Sequence, residues 1–211
     1  MAIVKELLQN KPISINGGSR RPTIKGNHYM YNNDPCNVSF QEMRHQGTLT
    51  VIVNVRLNQN GDTSFLPWQE DKICSLVLPA KGGPSVFQTS SMSGCAFYID
   101  KIGNDLIVYH ANANQFGGGN GSNQANFQTP DAVKYLDKLH ASAGNDYLDM
   151  GFPILQRKLQ KAEYFNGVQQ VGGGAMNLVG YRTNGQWKFY YQVVEGSKVL
   201  RCNQFYPQLH D

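Results

Sequence analysis

Cys95-Ala96-Phe97-Tyr98-Ile99-Asp100 and Leu106-Ile107-Val108-Tyr109-His110-Ala111-Asn112 flank the dipeptide Gly103-Asn104. Both arms are rich in β-branched, aromatic and other apolar residues, and Gly-Asn between two such runs is turn chemistry. The stretch therefore predicts an antiparallel hairpin, and the turn length decides which residues face one another. A four-residue loop over Lys101–Asn104 sets Cys95 opposite His110, with Cβ atoms about 4.5–5.5 Å apart, Phe97 opposite Val108 and Ile99 opposite Leu106. A two-residue turn at Gly103-Asn104 instead sets Cys95 opposite Asn112, with His110 one diagonal step away on the same face. Only a one-residue slip separates thiol and imidazole, by sending one of them to the opposite face.

Outward from the hairpin, Thr48–Leu57 is a β-branched and apolar run that predicts a central strand, followed by a turn over Asn58–Asp62 containing Asn60-Gly61. Ile73–Leu78 and Ser85–Thr89 read as further strands, separated by Pro79 and the turn run Lys81-Gly82-Gly83-Pro84. Met176–Thr183, Trp187–Val194 and Lys198–Phe205 read as three closing strands, with Asn184-Gly185 as a hairpin signal. Helical spacing of Ile3, Val4, Leu7 and Leu8 predicts a short helix over residues 2–9. Thr129-Pro130-Asp131 combines a capping residue, proline at the first position and an acid in the first turn. The helix it opens carries Ala132, Val133, Leu136 and Leu139 on one face and stops at Gly144, and Pro153 opens a second helix through about Tyr164. Lys11–Cys36 reads as an irregular segment or mobile loop, and Phe116–Asn126 as a flexible, lid-like loop. This order predicts an α+β fold, a mostly antiparallel or mixed β-sandwich flanked by helices, in one domain spanning residues 1–211.

The 211 residues suffice for one core, and a charged fraction of 16% is too low for a largely disordered chain. The net charge of +4 is spread along the chain, its one tight cluster being Arg20-Arg21 with Lys25, and nucleic-acid binding calls for a denser basic stripe. Cys36, Cys74, Cys95 and Cys202 form no Cys-x-x-Cys pair and no disulfide framework, so they read as reduced thiols, with a single disulfide as the alternative, in a chain with no structural zinc. Lys5 and Glu6 stand where a signal peptide would need an apolar stretch, and no window reaches the length of a membrane span. No cofactor, metal, nucleic acid or membrane partner is expected, and the chain reads as a monomer.

Chemistry concentrates at the hairpin. A free thiol is only a few per cent ionised at neutral pH, so a cysteine nucleophile needs a base or donor beside it. Ser93 and Gly94 lead into Cys95, and Gly94, lacking a Cβ, lets backbone and substrate approach closely. His110 is the base on the same hairpin face in either favoured register. The bland alternative is a cysteine and a histidine packed together by the fold. His28, His45, His140 and His210 lack a comparable partner and read as surface or helix-face residues. Trp187, Phe189 and Tyr191 alternate on one strand, either as core or as the ligand platform of a non-catalytic β-sandwich binding module.

Met92-Ser93-Gly94-Cys95 resembles the Leu-Ser-Gly-Cys motif of the cytotoxic necrotizing factor family of glutamine deamidase toxins, in particular its single-domain, lethal-factor-like branch. Leu66-Pro67-Trp68, Thr89 six residues before Cys95, Val108-Tyr109-His110 and Ala113-Asn114-Gln115-Phe116 resemble stretches of that branch, and Val171-Gly172-Gly173 is a looser echo. The likeness runs from about residue 45 to residue 182. Met92 stands where the family has leucine, which conserves volume. The Cys-to-His gap is longer than in the lethal-factor-like branch and similar to that of the necrotizing factors.

The resemblance implies a β-sandwich or mixed sheet wrapped by helices. It implies Cys95 as nucleophile, His110 as general base and acid, Thr89 orienting the imidazole through its hydroxyl or its carbonyl, and backbone N–H groups at Ser93 and Gly94 near the oxyanion. The implied reaction converts a glutamine of a host protein to glutamate through a thioester, or transglutaminates it if an amine replaces water. The implied partner is the translation-initiation helicase, factor 4A, or alternatively a Rho-family GTPase. The protein would be made in a bacterial cytoplasm and then secreted or delivered into the host cytosol without a cleavable signal peptide. A cysteine peptidase using the same pair of residues is the rival enzyme.

Overall fold

The computed structural model describes residues 13–17, 21–45, 48–116, 129–166, 168, 174–195 and 198–207. The helix expected over residues 2–9, most of the loop over Phe116–Asn126, the stretch Val171-Gly172-Gly173 and His210 lie outside these.

Two mixed sheets carry the architecture. The larger runs β1 (Ile13–Gly17), β5 (Thr48–Leu57), β4 (Cys36–His45), β6 (Thr63–Leu66), β8 (Val86–Thr89), β12 (Ala175–Thr183), β13 (Gln186–Glu195) and β14 (Lys198–Tyr206). The smaller runs β11 (Ile154–Leu159), β9 (Ala96–Ile102), β10 (Asp105–Ala111), β7 (Ile73–Leu78), β3 (His28–Met30) and β2 (Thr23–Lys25). Most neighbours are antiparallel, but β1 with β5, β6 with β8 and β3 with β7 are parallel. Two helices complete the described fold, α1 (Pro130–Asn145) and the single-turn α2 (Lys161–Tyr164). The chain is thus α+β with a sandwich-like arrangement. Among the described residues no helix is long and apolar enough to cross a membrane.

The main core lies between the sheets. Leu76, Leu78, Phe97, Ile99 and Val108 of the smaller sheet share one buried cluster with Phe87, Leu178, Phe189, Val193 and Phe205 of the larger. Phe87 contacts both Phe97 and Phe189, with ring centroids 5.9 and 5.7 Å apart. Side chains of this size stabilise the fold by about 1.5–3 kcal/mol each when fully buried. On the other face of the smaller sheet, Tyr98, Ile107, Tyr109 and Ala111 pack against Leu136, Leu139 and Ala143 of α1. The hairpin β9–β10 is therefore covered on both sides, which explains its continuous apolar sequence. Helix α1 starts as its sequence signals: Thr129 is the cap, its hydroxyl accepting from the Ala132 N–H at 3.2 Å. It ends at Asn145, one residue past Gly144.

Several expectations are corrected. Lys11–Cys36 is not wholly irregular, since it contributes β1, β2 and β3. These strands are three to five residues long, too short for a period-two pattern to stand out, and β1 and β3 are held by parallel pairing to distant strands. The helix expected from Pro153 to Tyr164 is strand β11 up to Leu159, with one helical turn after it. Leu, Gln, Arg and Lys are good helix formers, but propensity differences are below about 1 kcal/mol per residue, and the open edge of β9 overrides them by supplying backbone partners from Lys101 to Phe97. Trp187, Phe189 and Tyr191 are buried in the inter-sheet core, so they form no ligand platform. Thr48–Leu57 has strands on both sides, as expected of an inner strand.

Candidate active site

Strand β8 ends at Thr89 in the larger sheet, and the chain then crosses to the smaller sheet, where β9 begins after Cys95. Met92 pins this crossing by exchanging backbone hydrogen bonds with Met176, at 2.8 and 2.6 Å. Strand β9 turns back through Gly103-Asn104 in the two-residue form, with Ile102 paired to Asp105 and Ala96 to Ala111. Gly103 has φ +58°, which suits the first central position of such a turn. The four-residue loop is thereby excluded: His110 pairs with Phe97, and Cys95 is level with Asn112. Cys95 and His110 share the face that looks into the inter-sheet core, one diagonal step apart.

The ring of His110 is held from the opposite sheet. Thr89 donates its hydroxyl to the Leu66 carbonyl at 2.7 Å and lies 2.8 Å from His110 Nδ1. With its only proton committed to Leu66, Thr89 Oγ1 must accept from Nδ1–H, so the neutral ring carries its lone pair on Nε2. Thr89 therefore meets the imidazole through its hydroxyl. That Nε2 is buried and has no hydrogen-bond partner among the described residues. Burial drives the His110 pKa down to about 3, so the imidazole is an uncharged base at neutral pH.

Cys95 is itself buried, at 6% exposure against none for His110, and although the two share a face, the sulfur makes no hydrogen bond with His110 Nε2. The Cys95 sulfur accepts from Asn112 Nδ2 at 3.3 Å, and the Cys95 carbonyl accepts from the Tyr164 hydroxyl at 3.2 Å. Burial pushes the thiol up to about 11, while the Asn112 amide and the Gly94 backbone pull it down. Ser93 is exposed and Gly94 buried. Cys74 is paired directly with His110 but is pushed up to about 12 by burial, which leaves it an inert thiol. None of the four cysteines is in a disulfide.

The histidines expected at the surface divide. His140 lies on α1, half-buried, stacked on Tyr98 and bonded to Asp100 at 3.0 Å. His28 is buried, contrary to expectation, with Nδ1 2.7 Å from Asp146 and Nε2 2.6 Å from Ser75 Oγ. Ser75 in turn meets the Tyr147 hydroxyl at 2.6 Å. This Asp-His-Ser order has the connectivity of a hydrolytic triad, but Ser75 is fully buried on the α1 side of the sheet and Tyr147 caps its oxygen. It is a polar tie between β3, β7 and the end of α1.

Sequence reasoning placed Asn112 opposite Cys95 in one register without assigning it a role, and it missed the Leu66 carbonyl and Tyr164. A backbone acceptor leaves no trace in residue identity, although Leu66 opens the Leu66-Pro67-Trp68 stretch. Among the described residues no group of three or more His, Cys, Asp or Glu side chains is placed to hold a metal ion. No known protein family and no curated protein matches the chain.

Proposed function

We propose that the protein is a cysteine-dependent glutamine deamidase of the cytotoxic necrotizing factor type, a toxin acting on a host protein. One observation carries the reading: a neutral imidazole, its Nδ1–H held by Thr89, has a buried and unpartnered Nε2 on the same sheet face as the Cys95 thiol. Such a ring is a proton acceptor awaiting a donor. The likeness of Met92-Ser93-Gly94-Cys95 to the family motif supplies the substrate class, and factor 4A is the favoured target ahead of Rho-family GTPases.

In the reaction the Cys95 S–H proton passes to His110 Nε2, and the sulfur attacks the carboxamide carbon of a substrate glutamine. Backbone N–H groups near Cys95 stabilise the tetrahedral oxyanion. As the C–N bond breaks, His110 returns the proton to the leaving nitrogen and ammonia departs, leaving a thioester. Water then loses a proton to His110 and attacks the thioester. Glutamate is released and the thiol regains its proton.

The test is incubation of purified factor 4A and a Rho GTPase with wild type and with Cys95→Ser, followed by peptide mass spectrometry. The expected result is a gain of about one dalton on a single glutamine of one target, absent with the variant. Cleaved peptides in place of the mass gain would transfer the site to a peptidase, and an unchanged substrate would remove the deamidase reading. Thr89 provides a graded check. Thr89→Val leaves Nδ1–H buried without an acceptor, a cost of about 1–3 kcal/mol, so deamidation should slow about 10–100-fold. Thr89→Ser, which keeps the hydroxyl, should recover most of the rate; equal losses in both variants would deny the hydroxyl its role.

A further inference from the structure

We infer that Asn112 is a fourth functional side chain of this site, beside Cys95, His110 and Thr89, holding the Cys95 sulfur and, with the Gly94 N–H, stabilising the thiolate formed when the proton moves to His110. The inference deepens the deamidase reading and rests on it for its catalytic meaning, though not for its physical test.

The amide of Asn112 is buried, and its orientation is set by its own contacts. Oδ1 accepts from two backbone N–H groups, those of Asp71 and Asn114, each at 3.1 Å. With the oxygen end committed, the NH₂ end has one orientation, toward Cys95 Sγ at 3.3 Å. The hairpin register puts Asn112 directly opposite Cys95, so the contact follows from strand pairing rather than from a mobile side chain.

An electrostatic argument gives the contact its consequence. Many cysteine nucleophiles are kept ionised by a neighbouring imidazolium. Here the ring is uncharged at neutral pH, because burial holds it down to about 3. The other titratable groups packed against the sulfur are Cys74 on β7, pushed up to about 12, and Tyr164 on α2, pushed well above its ordinary value. Neither carries charge near neutrality, and among the described residues no cation shifts the thiol; Lys161 of α2 lies over the Phe165 ring, its Nζ 5.9 Å from the centroid. Stabilisation of the anion falls to neutral donors, and the two that favour it are the Asn112 amide and the Gly94 backbone. During attack the S–H bond breaks and an N–H bond forms at His110 Nε2. The electron pair left on sulfur is shared with the Asn112 N–H until it bonds to the carboxamide carbon.

Asn112→Asp separates this role from that of a loop pin. It preserves shape and an oxygen acceptor for the Asp71 and Asn114 N–H groups, but turns the donor facing the sulfur into a carboxylate oxygen. The measurement is site-resolved iodoacetamide alkylation of the full-length protein from about pH 7 to about pH 10, read by peptide mass spectrometry. In Asn112→Asp the Cys95 profile should move up by about one pH unit or more, a rate about tenfold lower at any pH below the midpoint. Cys202, on the larger sheet, should be unchanged. A Cys95 profile that overlays wild type overturns the inference. If Asn112→Asp fails to fold, Asn112→Ala decides: slower alkylation of Cys95 supports the donor role, and a rate equal to or above wild type overturns it. Alkylation needs no substrate. Absence of any glutamine mass gain with wild type would remove the deamidase reading and leave the Asn112 result standing, and the reverse pairing of outcomes is equally readable.

Discussion

His110→Gln is expected to slow glutamine deamidation by about 10²–10⁴-fold and, in the same molecule, to flatten the loss of stability on acidification. The first effect follows from removing the group that accepts the thiol proton and returns it to ammonia. The second follows from burial. The ordinary histidine pKa is 6.5, and in the folded protein His110 is held down to about 3. Between these values the unfolded chain binds a proton that the folded chain refuses, so stability rises with pH across this window. The contribution is complete above the unfolded pKa and is lost as pH falls toward the folded one. At about 1.4 kcal/mol per pH unit, it amounts to a few kcal/mol. Glutamine cannot take up that proton. The variant should be less stable at neutral pH, by about 1–3 kcal/mol for a buried amide with imperfect partners, yet lose less on going to acid. His28 is also held down by burial, against the opposing pull of Asp146, and it persists in the variant. The slope should therefore shrink without vanishing. Urea unfolding at about pH 7 and about pH 4.5 measures it, and an equal acid loss in both proteins would show that His110 is not buried in neutral form.

The hairpin at the centre of the site was open to sequence reasoning because its contacts are local. Once Gly103-Asn104 marks the turn, only turn length remains to be chosen, and both favoured lengths leave Cys95 and His110 on one face. The structure selects the shorter turn, which replaces direct opposition by a diagonal and brings Asn112 to the sulfur. Thr89 was a different case. It belongs to the other sheet and reaches His110 across the core, a contact that no periodicity encodes, and only family resemblance pointed to it.

The failures have the same physical origin. His28 looked like a surface residue because its partners, Ser75 and Asp146, lie 47 and 118 residues away. Ile154–Leu159 looked helical because its residues tolerate helix, whereas the deciding factor was an unfilled sheet edge on β9. Trp187, Phe189 and Tyr191 could be platform or core until the second sheet was in place. The opposite sheet buries them, and alternation within one strand cannot tell which face that sheet will cover.

Gly61→Ala is expected to destabilise the protein by about 3–5 kcal/mol, far more than an ordinary glycine substitution. Gly61 closes the turn between β5 and β6, where its N–H bonds to the Asn58 carbonyl at 2.9 Å and Asn58 N–H bonds to the Pro35 carbonyl at 3.0 Å. A Cβ at this position would fall 2.1 Å from the Cys36 oxygen, 2.2 Å from its carbonyl carbon and 2.8 Å from the Asn37 nitrogen. These are backbone atoms of β4, and Cys36 is paired there with both Leu57 of β5 and Thr63 of β6, so no side-chain rotation relieves the clash. Relief requires strands to separate. Strand β6 ends at Leu66, whose carbonyl takes the Thr89 hydroxyl, so displacing it also loosens the acceptor that holds His110. Gly82→Ala is the control. Its φ is +69°, but a Cβ there meets nothing within 4 Å, so the cost is backbone strain of about 1–2 kcal/mol with the site intact. Urea unfolding of both variants decides the matter. A Gly61→Ala protein no less stable than Gly82→Ala would mean that the turn yields easily, and that the close approach of β6 to β4 does not govern the placement of Leu66 and, through it, of the ring at position 110.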